Sequence, residues 1–341
     1  MRRSPNEELS MRFNVMLEPQ EGLSYADILA VAQRAEALGF EGLYRSDHYT
    51  SVVGRVGLPS TDAWATLAGL ARETRRLRLG SLVSPVTFRP AGNLAKVVAT
   101  VAEMAGTTPD GDARVALGLG TGWQEQEHRA FGFPFEDVAT RFRRLEEHLR
   151  IVTALWDPDV EVVDFHGEFE HLEGNVFAPV PTPRPRLIVG GSGPRTTPRL
   201  AATYADELNA PFKSPQAAAA LRARLDAACE AVGRDPASIP FSLMTGFLVG
   251  ADEREYQARL RRFQEESGDG RPLSEYEASL ADEWILGTPD RAAERVAAYA
   301  DAGVEAIMLQ HRLVDDLDAL DLIAEEVAPR LGVRLGEPVS R

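Results

Sequence analysis

The feature that most limits how this chain can fold is a recurring unit: an apolar run of strand length, a short turn, then a stretch with helical periodicity. The clearest copy is Arg114-Val-Ala-Leu-Gly-Leu-Gly-Thr-Gly-Trp123, where a helical pattern starts at the tryptophan. Similar runs are Arg12–Leu17, Phe40–Tyr44, Leu77–Val83, the run opening Arg186-Leu-Ile-Val, Asp206–Ala210, Phe241–Val249 and Glu305–Gln310. Ala37-Leu-Gly-Phe-Glu-Gly-Leu-Tyr44 and Asp301-Ala-Gly-Val-Glu-Ala-Ile-Met308 share one spacing, so the same helix-to-strand turn is used near both ends of the chain. Ser24 with Asp27 predicts a capping box on the first helix, and Gly39 its left-handed end. Strands that alternate with helices must lie parallel, with helices covering the sheet. Eight such units predict an α/β fold, a (β/α)8 TIM barrel spanning residues 11–335 as a single domain. A doubly wound open sheet is the competing arrangement.

Two stretches break the rhythm and predict insertions after strands 4 and 7. Residues 157–185 carry β-type alternation around Gly167, then prolines at 179, 181, 183 and 185, which suits a hairpin. Residues 251–285 are charged and helical around Gly268-Asp-Gly270, which suits a cover over a pocket. Residues 1–10 are polar and read as a disordered N-terminal tail, because no apolar segment follows Arg2-Arg3.

A net charge of −15 argues against nucleic acid and anionic membranes as partners. No apolar run reaches membrane-spanning length. Cys229 is the only cysteine, which fits a reducing cytoplasm, and its helical surroundings make it a small core residue rather than a nucleophile. The histidines show no metal-ligand spacing, so no metal site is expected.

In a barrel the chemistry collects where strands exit. Strand two delivers Asp47-His48, a pair that suits acid–base work, hydrogen bonding to a heterocycle, or plain strand-end structure. Strand three delivers Val83 and Ser84. Strand four delivers Gly120, Thr121 and Trp123, whose indole suits either stacking on a ligand or packing over the barrel end. His128 follows in the next helix, within reach of the mouth or simply solvated. Strand five delivers Gly190, Gly191, Ser192 and Gly193, a turn ahead of Arg195 and Arg199. Backbone N–H groups, a hydroxyl and nearby guanidinium groups favour a phosphate site there over an ordinary turn.

These stretches together resemble the luciferase-like monooxygenase family, and the likeness runs from Arg12 to about Leu331. It is carried by Ala37-Leu-Gly-Phe-Glu-Gly-Leu-Tyr-Arg-Ser-Asp-His48, Leu79-Gly-Ser-Leu-Val-Ser-Pro-Val-Thr-Phe-Arg-Pro90, Gly118–Gly132 and Ile188–Thr196. The resemblance implies the barrel fold and use of the deazaflavin coenzyme F420, with FMN as the alternative cofactor. It places Asp47, His48, Ser84, Gly120, Thr121 and His128 around the ring and its side chain, and Gly191, Ser192 and Gly193 at the phosphate. It also implies a non-proline cis peptide at Leu82–Val83 that backs the ring. The activity it implies is hydride transfer between deazaflavin and a small organic substrate, with His48 moving the proton, in a homodimer. Oxygenation with reduced FMN, and a flavin-binding barrel without turnover, are the competing functions. Two departures from the family pattern stand out: Pro90-Ala91 replaces a His-Pro pair, and the loop Ala105–Arg114 is longer than usual.

Overall fold

The computed structural model describes residues 11–336 apart from 54 and 56, so the tail expected at residues 1–10 lies outside the described residues. In chain order the strands are β1 Arg12–Leu17, β2 Gly42–Arg45, β3 Arg78–Pro85, β4 Val115–Gly120, β5 Val163–His166, β6 His171–Asn175, β7 Arg186–Gly190, β8 Glu207–Pro211, β9 Phe241–Val249, β10 Ile285–Gly287 and β11 Ala306–Gln310. Eight of them close a parallel barrel in the order β1-β2-β3-β4-β7-β8-β9-β11 and back to β1. The fold is therefore a (β/α)8 barrel and not an open sheet. β5 and β6 pair antiparallel as a hairpin outside it. β10 adds a short parallel strand to the end of β9.

Local chemistry sets the element ends. The Ser24 hydroxyl accepts from the Asp27 N–H while the Asp27 carboxylate accepts from the Ser24 N–H, at 3.2 and 2.8 Å. The helix that follows, Tyr25–Leu38, stops at Gly39 with φ 87°. A Cβ there would lie 2.1 Å from the Gly336 carbonyl oxygen, so glycine is required on two counts.

Strand alternation divides the core in two. Val15, Leu17, Leu43, Leu79, Leu117, Leu119, Val189 and Leu309 face outward onto the helices. Met16, Tyr44, Leu82, Ala116, Ile188 and Met308 face inward and fill the barrel. Below them Arg12, Glu41, Arg78, Arg186 and Glu207 close the base with a charge network. Burial pushes the Tyr44 phenol up, and Glu207 adds to the shift. The barrel is thus solid below, and its upper end is the place left for a ligand.

The second insertion packs its own apolar cluster. Helices Glu253–Ser267 and Leu273–Leu280 supply Tyr256, Leu260, Phe263 and Tyr276, which meet Leu248, Trp284 and Leu313. The lone Cys229 is buried in the helix Pro215–Ala231, and burial raises its pKa.

Candidate active site

The exits of β2, β3, β4 and β7 are consecutive around the barrel, so their residues form one corner of the mouth. Asp47 is fully buried. It accepts from the Ser84 hydroxyl at 2.7 Å and from both terminal nitrogens of Arg89, at 2.6 and 3.3 Å. Ser84 in turn accepts from the Trp64 indole N–H at 3.0 Å. Arg89 also reaches the Tyr49 hydroxyl at 2.8 Å and Asp62 at 2.7 Å. Burial works against the Arg89 charge, but Asp47, Tyr49 and Asp62 outweigh it and hold the guanidinium protonated. Asp47 and Ser84 therefore brace the strand exit from beneath.

The residue above them is His48. Its Nδ1 lies 2.8 Å from Glu127 Oε2, and Glu127 is completely buried. The other Glu127 oxygen accepts from the backbone N–H groups of Tyr49 and Thr50. A carboxylate can only accept, so His48 Nδ1 carries the hydrogen and Nε2 presents its lone pair. Among the described residues no group bonds to Nε2, and 13% of the side chain is exposed. Burial disfavours the charged ring, but the hydrogen bond and charge of Glu127, with Glu18 and Asp47 behind it, prevail and raise the His48 pKa. An oriented imidazole with a raised pKa and an open nitrogen can take up and return a proton.

A second carboxylate stands at the exit of β1. Glu18 accepts from Gln20 Nε2 at 2.5 Å and from Gln310 Nε2 at 2.7 Å, and the Ser46 hydroxyl donates to Gln20 Oε1 at 2.6 Å. These bonds to Glu18 and Gln20 tie together the exits of β1, β2 and β11.

The Leu82–Val83 peptide is cis, and the β3–β4 register shifts between Ser81 and Ser84. The bulge turns Val83 into the mouth. A Cβ on Gly120 would lie 2.6 Å from Val83, and one on Gly190 2.3 Å from it. These two glycines belong to strands and make room for a valine. Within Gly118–Gly122 only Gly122 needs a positive φ, at 76°.

The turn after β7 leaves Ser192 exposed and Gly191 at φ 145°, with the Gly191 N–H bonded to the Asn209 carbonyl at 2.9 Å. The helix Thr196–Tyr204 then begins without a side-chain cap, so its first N–H groups point at the turn with no side-chain acceptor. Arg199 does not serve that turn, because it forms an ion pair with Glu146 at 2.7 Å. Arg195 is exposed beside it.

Two aromatic expectations need correction. Packing over the barrel end would bury Trp123, yet it is 61% exposed, and its ring stands edge-on to His48 at 5.9 Å. His128 is neither solvated nor turned to the mouth. It is buried, its Nδ1 donates to the Gln124 carbonyl at 2.7 Å, and its Nε2 accepts from the Thr87 hydroxyl at 2.6 Å. Its ring packs against Phe88 and Phe135, so its hydrogen bonds and surface are engaged within the protein. Thr121 is half-buried at the rim, its hydroxyl on the Gly122 carbonyl. Glu127, one residue before His128, is the functional candidate that sequence reasoning passed over. A helix start favours acids in any case, and nothing local marks this one as facing strand two.

Among the described residues no cluster of histidine, cysteine and acidic side chains is arranged to hold a metal. Val83, His48, Trp123 and the Gly191–Thr196 turn border one corner of the mouth.

The family model described as luciferase-like monooxygenase matches residues 9–306. An F420-dependent glucose-6-phosphate dehydrogenase of Gordonia bronchialis is 28% identical over 331 residues, covering 89% of this chain and 93% of that one. An F420-dependent secondary alcohol dehydrogenase, solved with an F420–acetone adduct, superposes with a TM-score of 0.79 at 19% identity over 94% of this chain and 98% of that one. A riboflavin lyase with modified FMN gives 0.78 at 16% identity, over 98% and 94% of the two chains.

Proposed function

Because this chain belongs to the luciferase-like monooxygenase family, we propose that it is an F420-dependent oxidoreductase that interconverts a small alcohol and its carbonyl compound. The observation that carries this reading is the His48–Glu127 pair, aimed into the mouth beside the Val83 shelf. The relatives named for F420 supply the cofactor. In this reading Val83 backs the ring, Asp47 and Ser84 brace the exit beside it, and Gly191, Ser192 and Gly193 with the bare start of the following helix hold the phosphate.

A deazaflavin held by Val83 and the Gly191–Gly193 turn would supply the hydride chemistry at the carbinol carbon. His48 Nε2 takes the hydroxyl proton in oxidation and returns it in reduction. Glu127 fixes the tautomer and steadies the imidazolium that forms, as the buried carboxylate of a hydrolase triad does. Asp47, braced by Arg89 and Ser84, also favours that imidazolium.

A reduced-FMN monooxygenase is the second reading, since the same shelf and phosphate turn accommodate FMN and a neighbouring fold carries it. Fluorescence titration of the purified protein with each cofactor separates the two. Tighter binding of F420 is expected, and a clear preference for FMN would overturn the assignment. The reading also carries a cytoplasmic homodimer, supported on the first point by the single buried thiol and tested on the second by light scattering.

A further inference from the structure

This inference rests on the reading above and concerns the substrate that reading leaves open. Trp123 emerges from a fixed point. A Cβ on Gly122 would lie 3.2 Å from Pro85 and from Thr87 and 3.3 Å from His128, so the backbone beneath the indole has no slack. The indole nevertheless stays 61% exposed, and its recorded ring contact is the edge of His48. It stands against the imidazole that handles the proton. Further round the ring of strands, Trp284 covers the exit of β9, where a Cβ on the inward-facing Gly246 would lie 2.4 Å from the indole. Phe212 stacks on Trp284 at 6.4 Å. Both sides of the mouth are therefore aromatic.

The charges that act most on His48, Glu127, Glu18 and Asp47, are all negative, and Arg89, the guanidinium bonded to Asp47, is also engaged by Asp62. Lys213 lies across the barrel after β8 and donates to the carbonyl of Phe212 at 3.2 Å. An anionic substrate with its carbinol at His48 would lie over three buried carboxylates; a neutral, apolar one would cover an indole that otherwise faces water.

We propose that Trp123 is a specificity-determining residue, and that the substrate is an uncharged alcohol or ketone whose apolar, preferably aryl, substituent lies against its indole. Sugar phosphates, the substrates named for the relatives, are excluded by this arrangement.

The test uses protein loaded with F420. Calorimetric titration with acetophenone and with glucose 6-phosphate is run on the wild type, Trp123→Ala and Trp123→Phe. Steady-state rates with 1-phenylethanol and 2-propanol accompany it. Acetophenone should bind the wild type, weaken about tenfold or more in Trp123→Ala, and recover most of its affinity in Trp123→Phe. The kcat/KM for 1-phenylethanol should fall by a similar factor through KM, and by several-fold more than the kcat/KM for 2-propanol, which has no aryl group to lose. Preferred binding of glucose 6-phosphate, no binding of acetophenone, or acetophenone affinity indifferent to Trp123→Ala would each overturn the inference while the cofactor assignment stands. Failure to bind F420 at all would overturn the reading and the inference together.

Discussion

At the base of the barrel, charge is shared loosely. Glu207 meets Arg186 at 3.1 Å and Arg12 at 3.8 Å, and Glu41 meets Arg12 at 3.4 Å and Arg78 at 3.6 Å. Four buried atoms there, Arg12 Nη2, Asn14 Oδ1, Arg78 Nε and Glu207 Oε1, have no hydrogen-bond partner. At the mouth the arrangement is the reverse. Each oxygen of Asp47 and Glu127 is bonded, both nitrogens of His128 are bonded, and among these four side chains the atom left over is His48 Nε2. The base tolerates slack because several cations back each carboxylate, and it only has to plug a hole. Around His48 the bonds are short and directed, which holds one nitrogen in one place. Preorganisation of that kind distinguishes a reacting site from a structural ion cluster.

The contrast can be broken most directly at the leftover atom. His48→Asn removes the proton carrier, and kcat should fall by about 10² to 10⁴-fold while F420 affinity holds. Stopped-flow reduction of F420 measures this; a rate within a few-fold of wild type would mean that Nε2 handles no proton.

Glu127→Gln comes next, with a loss in kcat of roughly 10²-fold and a shifted pH profile. The sign follows from the forces on His48. Glu127 is what overcomes burial and raises its pKa, so without that charge the burial penalty prevails and the pKa falls. Alcohol oxidation needs the neutral base, so the acid limb of the rate profile should move to lower pH. Stability responds in the opposite sense. A raised folded pKa contributes stability that is full below the unfolded value of about 6.5 and is lost as pH rises through the folded value. The wild type should therefore gain thermal stability over Glu127→Gln as pH drops through that window. Identical profiles for the two proteins would show that the pair is not coupled.

Ser192→Asp sharpens the comparison with an exposed residue. A carboxylate facing the cofactor phosphate should weaken binding by about tenfold or more, with no change in melting temperature. Unaltered affinity would take the phosphate away from this turn. The smallest effect on activity is expected at the base. Arg186→Met leaves Glu207 with Arg12, so the loss should stay under the roughly 3–5 kcal/mol of a fully orphaned buried charge, and kcat should not change. A large loss of kcat here would show that base and mouth are not independent.

How much was legible in advance differs by residue. The Ser24–Asp27 box, the Gly39 stop, the strand runs and the closing of eight units into a barrel follow from signals a few residues long. Asp47, His48 and the β7 turn were found because they sit just after such runs. Glu127 was not. Its partner is 79 positions away, and a helix start gives an acid reason enough to be present. His128 beside it attracted attention by residue type alone, while its burial depends on Phe88, Phe133 and Phe135 arriving from elsewhere. Gly120 and Gly190 stood out as candidate cofactor contacts, whereas their close packing on Val83 of a third strand could not be read from the sequence.

What the chain determines on its own is therefore the set of elements and their order. Hydrophobic period, caps and turn glycines act through backbone geometry over a single turn or strand, and that information is written locally. What only the closed barrel decides is which side chains of β2, β3 and β4 and the following helix meet, which of two adjacent residues turns to His48, and which indole is left in water. Those outcomes depend on register and on the strand bulge at Val83, which bring residues 40 to 80 positions apart to hydrogen-bonding distance.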